Sequence, residues 1–139
     1  IGFIDGLKIV PGESVAFRFR DANIRGWLRD VGSVLELYAY KACIDADIFN
    51  DVISSAVVRW DDVGLVSNEI DVMAMKGSIP IFISCKNGRV NQMALYELDA
   101  VANRFGGKYV RKELSATQEI TPGYLKRAEE MGIIVDMQK

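Results

Sequence analysis

Three segments between Val52 and Lys86 dictate most of what this chain can become. Val52 to Trp60, Asn68 to Met75 and Ser78 to Lys86 are rich in β-branched and other apolar residues, the composition of strands. Only Lys76-Gly77 separates the last two, and two residues ending in glycine favour a tight hairpin. An antiparallel pair at the middle of the sequence commits the chain to a sheet. Into this apolar pair the sequence sets Asp71, between Ile70 and Val72, and it closes the second strand on Lys86.

The hairpin carries a register with it. With Lys76-Gly77 as the turn, Glu69 stands opposite Ser84 and Asp71 opposite Phe82. Side chains alternate across a strand, so Glu69, Asp71, Ser84 and Lys86 project from one face, and Ile79, Ile81 and Ile83 from the other. Asp71 and Ser84 become diagonal neighbours, near enough to share an ion. Pro80 cannot donate a ladder bond, which places it on an edge or at a strand start.

Helices surround this pair. Trp27, Val31, Val34, Leu35, Tyr38 and Ala42 recur at helical spacing over Arg25–Cys43 and make one broad face. Gly32, Glu36, Ala39 and Cys43 make a second. A helix that is apolar or small nearly all round is a buried one, so Glu36 needs a partner or a cation there. Asn91 to Phe105 reads as a helix with Gly106-Gly107 as its stop. Lys108 to Leu114 is a strand, Thr121-Pro122 caps and opens a last helix, and Ile133 to Asp136 is a short final strand after Gly132. Residues 1–20 are short extended pieces broken by Pro11-Gly12. The order of helix, three strands, helix, strand, helix, strand implies an α/β fold around a small mixed sheet. The expected organisation is one domain over 1–139, with 1–20 peripheral, forming the C-terminal part of a longer chain.

Composition removes several chemistries. There is no histidine, which excludes Ser-His-Asp and Cys-His mechanisms and histidine-held zinc. Two cysteines, Cys43 and Cys85, make neither a disulfide framework nor a metal-ligand spacing, as for reduced thiols in a cytoplasmic protein. No apolar run is long enough for a membrane span and nothing reads as a signal peptide. Catalysis therefore rests on carboxylates, lysines, hydroxyls or a metal. Charge is uneven: from Lys86 to Lys112 six basic side chains face only Glu97 and Asp99. A basic strip holding Arg89, Lys108 and Arg111 beside an acidic cluster suits a protein that binds a cation and a polyanion together. Ordinary solvated charge reads the same way.

Asp71 and Lys86 carry the chemical expectation. A lysine leaving a strand is commonplace, and an aspartate near a turn often only caps it. An acid well inside a strand is poorly suited to it, however. Its carboxylate suits Mg²⁺ or Mn²⁺, hard cations that prefer oxygen ligands. Lys86 then orients or deprotonates water, or neutralises developing charge. Ser84 offers a neutral oxygen, Cys85 its carbonyl, and Glu69 a carboxylate if it turns inward. Cys85 as a nucleophilic thiol lacks a relay base.

An acid on an apolar strand, then a hairpin to a strand ending in acid-X-Lys, with a glutamate on a preceding helix, resembles the PD-(D/E)XK restriction-endonuclease-like superfamily. Four runs are similar to one branch of it: GSVLELYAYKA (Gly32 to Ala42), NEIDV (Asn68 to Val72), ISCK (Ile83 to Lys86) and LYELDAVANRFGG (Leu95 to Gly107). That branch is the nuclease domain of CRISPR-associated ancillary effectors of the Card/Can type, whose other domain, a CARF domain, senses cyclic oligoadenylate. The resemblance covers roughly 26–112. It implies a central sheet flanked by helices, metal-dependent cleavage of DNA or RNA (often single-stranded), antiviral defence and a homodimer. Cyclic oligoadenylate would act only through an N-terminal sensor domain. Residue by residue, Glu36 matches the helix glutamate, Asp71 the strand acid and Lys86 the lysine, while Ser84 stands where the pattern has an acid. The alternative reading is a nucleic-acid-binding or dimerisation module of the same fold, impaired in catalysis. A small-molecule α/β enzyme is disfavoured, because no Gly-rich phosphate loop follows a strand.

Overall fold

The structure is a computed structural model that describes residues 4–29, 31–60 and 66–137, with all of their side chains except those of 27–29 and 31. The chain divides into two units, 1–34 and 35–139. In the first, β1 (Ile4–Val10) and β2 (Ser14–Phe19) pair antiparallel around the turn at Pro11-Gly12. Helix α1 (Ala22–Arg29) starts from Asp21, whose carboxylate accepts from the N–H groups of Asn23 at 2.6 Å and Ile24 at 3.3 Å.

The second unit is built on a five-stranded sheet in the order β3-β4-β5-β6-β7: β3 (Asp51–Arg59), β4 (Ser67–Lys76), β5 (Ile79–Lys86), β6 (Arg111–Ala116) and β7 (Ile133–Met137). The first three strands are antiparallel and the last three parallel. Parallel neighbours need crossovers, which α3 (Gln92–Phe105) and α4 (Pro122–Glu130) provide. One face buries Leu95, Leu98, Val101 and Ala102 of α3 and Ala128 of α4 against Phe82, Leu114 and Ile133. The other buries Leu35, Ala39 and Cys43 of α2 (Val31–Asp45) against Val72, Ala74, Ile83 and Cys85. This is a central mixed sheet flanked by helices, as the sequence implies. No described helix is long and apolar enough to cross a membrane.

Four local expectations are corrected. The helix expected over Arg25–Cys43 is two helices, and residue 30 between them lies outside the described residues. Of the expected broad face only Leu35 is buried; Val34, Tyr38 and Ala42 are exposed, and the side chains of Trp27 and Val31 lie outside the described set. The sheet takes Ala39 and Cys43 instead, because small side chains let the helix approach it closely. The hairpin turn is Gly77-Ser78, with Lys76 paired to Ile79. Gly77 takes φ +61 at the first turn position, as a type II′ turn requires. The register slips by two residues, which brings Asp71 level with Ser84; the single face expected for Glu69, Asp71, Ser84 and Lys86 is interrupted, because β4 changes sides between Val72 and Ile70. Thr121 precedes α4 in extended conformation but makes no side-chain cap bond. The loop expected at Asp61–Ser67 falls mostly outside the described residues. Pro80 is the second residue of β5, before the first β6 pair at Ile81 and Arg111, so its missing donor breaks no ladder there.

The sheet changes sides at one level. Val52, Val72 and Ala74 pack toward α2, but Ala56, Val58 and Ile70 pack in the α3 cluster. Residues two apart on a regular strand share a face, so β3 and β4 both switch between these pairs. The switch falls between the pairs Ser54–Val72 and Ala56–Ile70, leaving Ser55 and Asp71 unpaired, with Ser55 at φ +53. The β4–β5 ladder also ends there, at Val72–Ile83.

Candidate active site

Asp71 occupies the gap opened by that switch. Its Oδ2 accepts the Cys85 N–H at 2.6 Å and lies 3.3 Å from the donating Ser84 Oγ. The backbone explains why Cys85 is available. Thr117 donates to the Lys86 carbonyl, which turns the peptide groups of Lys86 toward β6. Those of Cys85, one residue earlier, therefore face β4. Its carbonyl looks the same way as the N–H that Asp71 has taken.

A cleft of about 60 Å³ opens beside this carboxylate, lined by Glu69, Asp71, Ser84 and Lys86 from the strands and by Glu97, Leu98 and Val101 from α3. Asn68, also on its wall, is held by a hydrogen bond from the Trp60 indole. The structure thus brings Asp71, Ser84 and Lys86 together. Glu97 was not singled out by the sequence; only the packing of α3 across β5 brings it near, and no local pattern signals that.

Glu36 is not among the cleft residues. It lies on α2, next to Leu35, and its charge reaches Cys85. The Cys85 thiol is pushed up to about 12, first by burial and then by the charges of Asp71 and Glu36, with Lys86 opposing them. Asp71, Glu36 and Lys86 therefore all surround one residue, with the Cys85 side chain buried in the α2 cluster. A thiol protonated to that pH supplies neither a thiolate ligand nor a nucleophile. The donors on offer are oxygens, which suits a hard cation. Among the described residues no three acids or cysteines stand close enough to cage an ion unaided.

The basic residues do not form one track. Arg89 is exposed three residues past Lys86. The strand expected over Lys108 to Leu114 runs instead over Arg111–Ala116, so Arg111 opens β6 and Lys108 lies in the turn before it, whereas Lys86 pairs with Ala116 at the strand's end. Five strand residues separate the two levels, roughly 16 Å. Lys112 is withdrawn from solvent: its ammonium pairs with Asp99 at 2.7 Å and donates to the Met131 carbonyl. A larger cavity, about 320 Å³, lies on the α2 side of β5–β7 and includes Cys43, Glu113, Ser115 and Asp136 but neither Asp71 nor Lys86.

The family model described as "Card1-like, endonuclease domain" matches residues 26–137. Can2 from Sulfobacillus thermosulfidooxidans, solved in complex with cyclic tetra-adenylate, is 25% identical with a TM-score of 0.70, over 98% of this chain and 38% of that one. The protein VC1899 from Vibrio cholerae is 19% identical with a TM-score of 0.71, over 93% of this chain and 34% of its own. A repair endonuclease from Pyrococcus abyssi, 16% identical over 83% of this chain and 46% of its own, has a TM-score of 0.54. The fold is restriction-endonuclease-like. The chain spans little more than a third of the length of the first two solved relatives. No curated protein matches the sequence.

Proposed function

The chain belongs to the Card1-like endonuclease domain family, and from that premise we propose that it hydrolyses phosphodiester bonds in DNA or RNA with the help of Mg²⁺ or Mn²⁺. The observation that carries the reading is the cleft itself: Asp71, pinned by Cys85 N–H and Ser84 Oγ, shares it with Lys86. Asp71, the Cys85 carbonyl and the Ser84 hydroxyl would hold the cation, with Glu36 contributing negative charge from the α2 side. One or two carboxylates with waters and substrate phosphate are the usual complement for Mg²⁺. The cation, when bound, supplies charge for the developing phosphorane and acidifies water.

The chain's own residues do the rest. The Cys85 N–H and Ser84 fix one oxygen of Asp71, leaving the other to face the cleft. Lys86, rooted in the middle strand of the sheet, offers an ammonium that orients the attacking water or offsets negative charge on the scissile phosphate. Leu98 and Val101 wall off one side. Arg89 would hold the backbone next to the cut, while Lys108 and Arg111 would meet the strand farther along. In this reading the full-length protein is a homodimer in CRISPR-linked antiviral defence, and cyclic oligoadenylate acts through a separate sensor domain; the Can2 complex with cyclic tetra-adenylate supports that analogy.

The test is incubation of the protein with end-labelled single- and double-stranded DNA and RNA in Mn²⁺, Mg²⁺ or EDTA. Cutting should need the metal and fall by about 10²-fold or more in Asp71→Ala and Lys86→Ala, with circular dichroism unchanged. Cutting that survives in EDTA, or in both variants, would refute the proposal. Metal-independent binding without cutting would favour the impaired binding module, which Ser84 at the acid position supports.

A further inference from the structure

The face of the cleft that carries Lys86 lacks one carboxylate, because position 84 bears a hydroxyl. We propose that Glu97 of α3 supplies it, holding the divalent cation together with Asp71. The inference rests on the reading above that this cleft takes a cation.

The direction of the side chains comes first. On β5, Ser84 and Lys86 share a face with Phe82, and Phe82 packs in the α3 cluster. An acid at position 84 would therefore point toward α3. Glu97 lines the same cleft from α3, so the helix brings a carboxylate to the cleft that the strand leaves one short. Glu36 does not fill this place. It approaches Cys85 from the α2 side, and Cys85 packs there with Ala39 and Cys43.

Rigidity favours Glu97 over the other nearby acid, Glu69. Leu98 and Val101, next to Glu97 and one turn on, are 7% and 5% exposed, so the helix is fixed where the carboxylate leaves it. Glu69 lies on the part of β4 beyond its last pair with β5 and is laddered only to Val57 of β3. Among the described residues no ion pair draws Glu97 elsewhere. The volume agrees: about 60 Å³ accommodates an ion with a few waters and excludes an organic cofactor.

Binding of Mn²⁺ to the intact chain, read from the loss of the free-ion electron paramagnetic resonance signal, tests this apart from activity. Glu97 is exposed, so Glu97→Gln should fold, and a melting curve checks that it does. Wild type should bind, Asp71→Asn should lose binding, and Glu97→Gln should weaken it by about tenfold or more. Ser84→Asp in the Glu97→Gln background should recover most of the loss, because it returns a carboxylate to the strand wall. If Asp71→Asn abolishes binding but Glu97→Gln leaves it unchanged, or if Glu69→Gln is the damaging change instead, the role of Glu97 is wrong and the cation cleft stands. A wild type that binds no Mn²⁺ would remove both.

Discussion

An aspartate inside a strand has to find donors, and Asp71 finds two on the neighbouring strand, the Cys85 N–H and the Ser84 hydroxyl. The arrangement depends on a residue that makes neither bond. Ser55, at φ +53 beside Asp71, is a non-glycine in the left-handed region, a conformation that costs about 1 kcal/mol or more and persists only where the surroundings impose it. Elsewhere Glu113 shows what burial does to a carboxyl without such donors. Its pKa is raised above the ordinary 4.5, first by burial and then by the nearby charge of Asp136. A folded-state pKa above the unfolded one favours the protonated, folded form. Stability is therefore fullest below 4.5 and falls as pH rises through the raised value. Glu113→Gln should melt higher than wild type by about 1–3 °C at pH 7.5, with the advantage gone by pH 4.5. A difference that does not change with pH would contradict this account of Glu113.

At the scale of elements, the end of α3 sets where β6 begins. Gly106 takes the C-cap, donating to Ala102, and Val110 packs over it. A Cβ at Gly106 would lie 2.2 Å from Val110 Cγ2 and 2.8 Å from the Ala102 carbonyl. Gly106→Ala should cost about 2–3 kcal/mol in denaturant unfolding; a loss below about 0.5 kcal/mol would show that the turn simply moves aside. The sequence announces this element plainly, since Asn91 and Gly106-Gly107 bracket an apolar period, and Asn91 does cap the Ala94 N–H at 3.0 Å. Other features were harder to read. Helical periodicity picks out bulk, so it chose Val34 and Tyr38 for a face the sheet fills with Ala39 and Cys43. Asp71 and Lys86 were legible because acid and amine are out of place in an apolar hairpin. The side switch at Ser55 was not, since serine carries no mark of positive φ. Glu97 was not either, because its place depends on how α3 crosses β5, a tertiary fact without local sequence trace.

At the scale of the whole molecule, the five-stranded sheet separates two environments. On the α3 side it presents Lys86, Ser84 and Glu97 to one small cleft. On the α2 side it leaves the larger cavity with Glu113 and Asp136. Asp71 sits at the level where β3 and β4 change sides, which lets a single carboxylate take its donors from β5 and still line the cleft. The family places this chain among endonuclease domains, and the chain spans little more than a third of the length of the first two solved relatives. The most direct test of the central claim is a crystal of the protein soaked in Mn²⁺ and measured at the manganese absorption edge. The account predicts an anomalous peak within coordination distance of the Asp71 carboxylate, in the cleft shared with Lys86 and Glu97. A well-ordered cleft with no peak, or a peak coordinated only by residues outside it, would contradict the account.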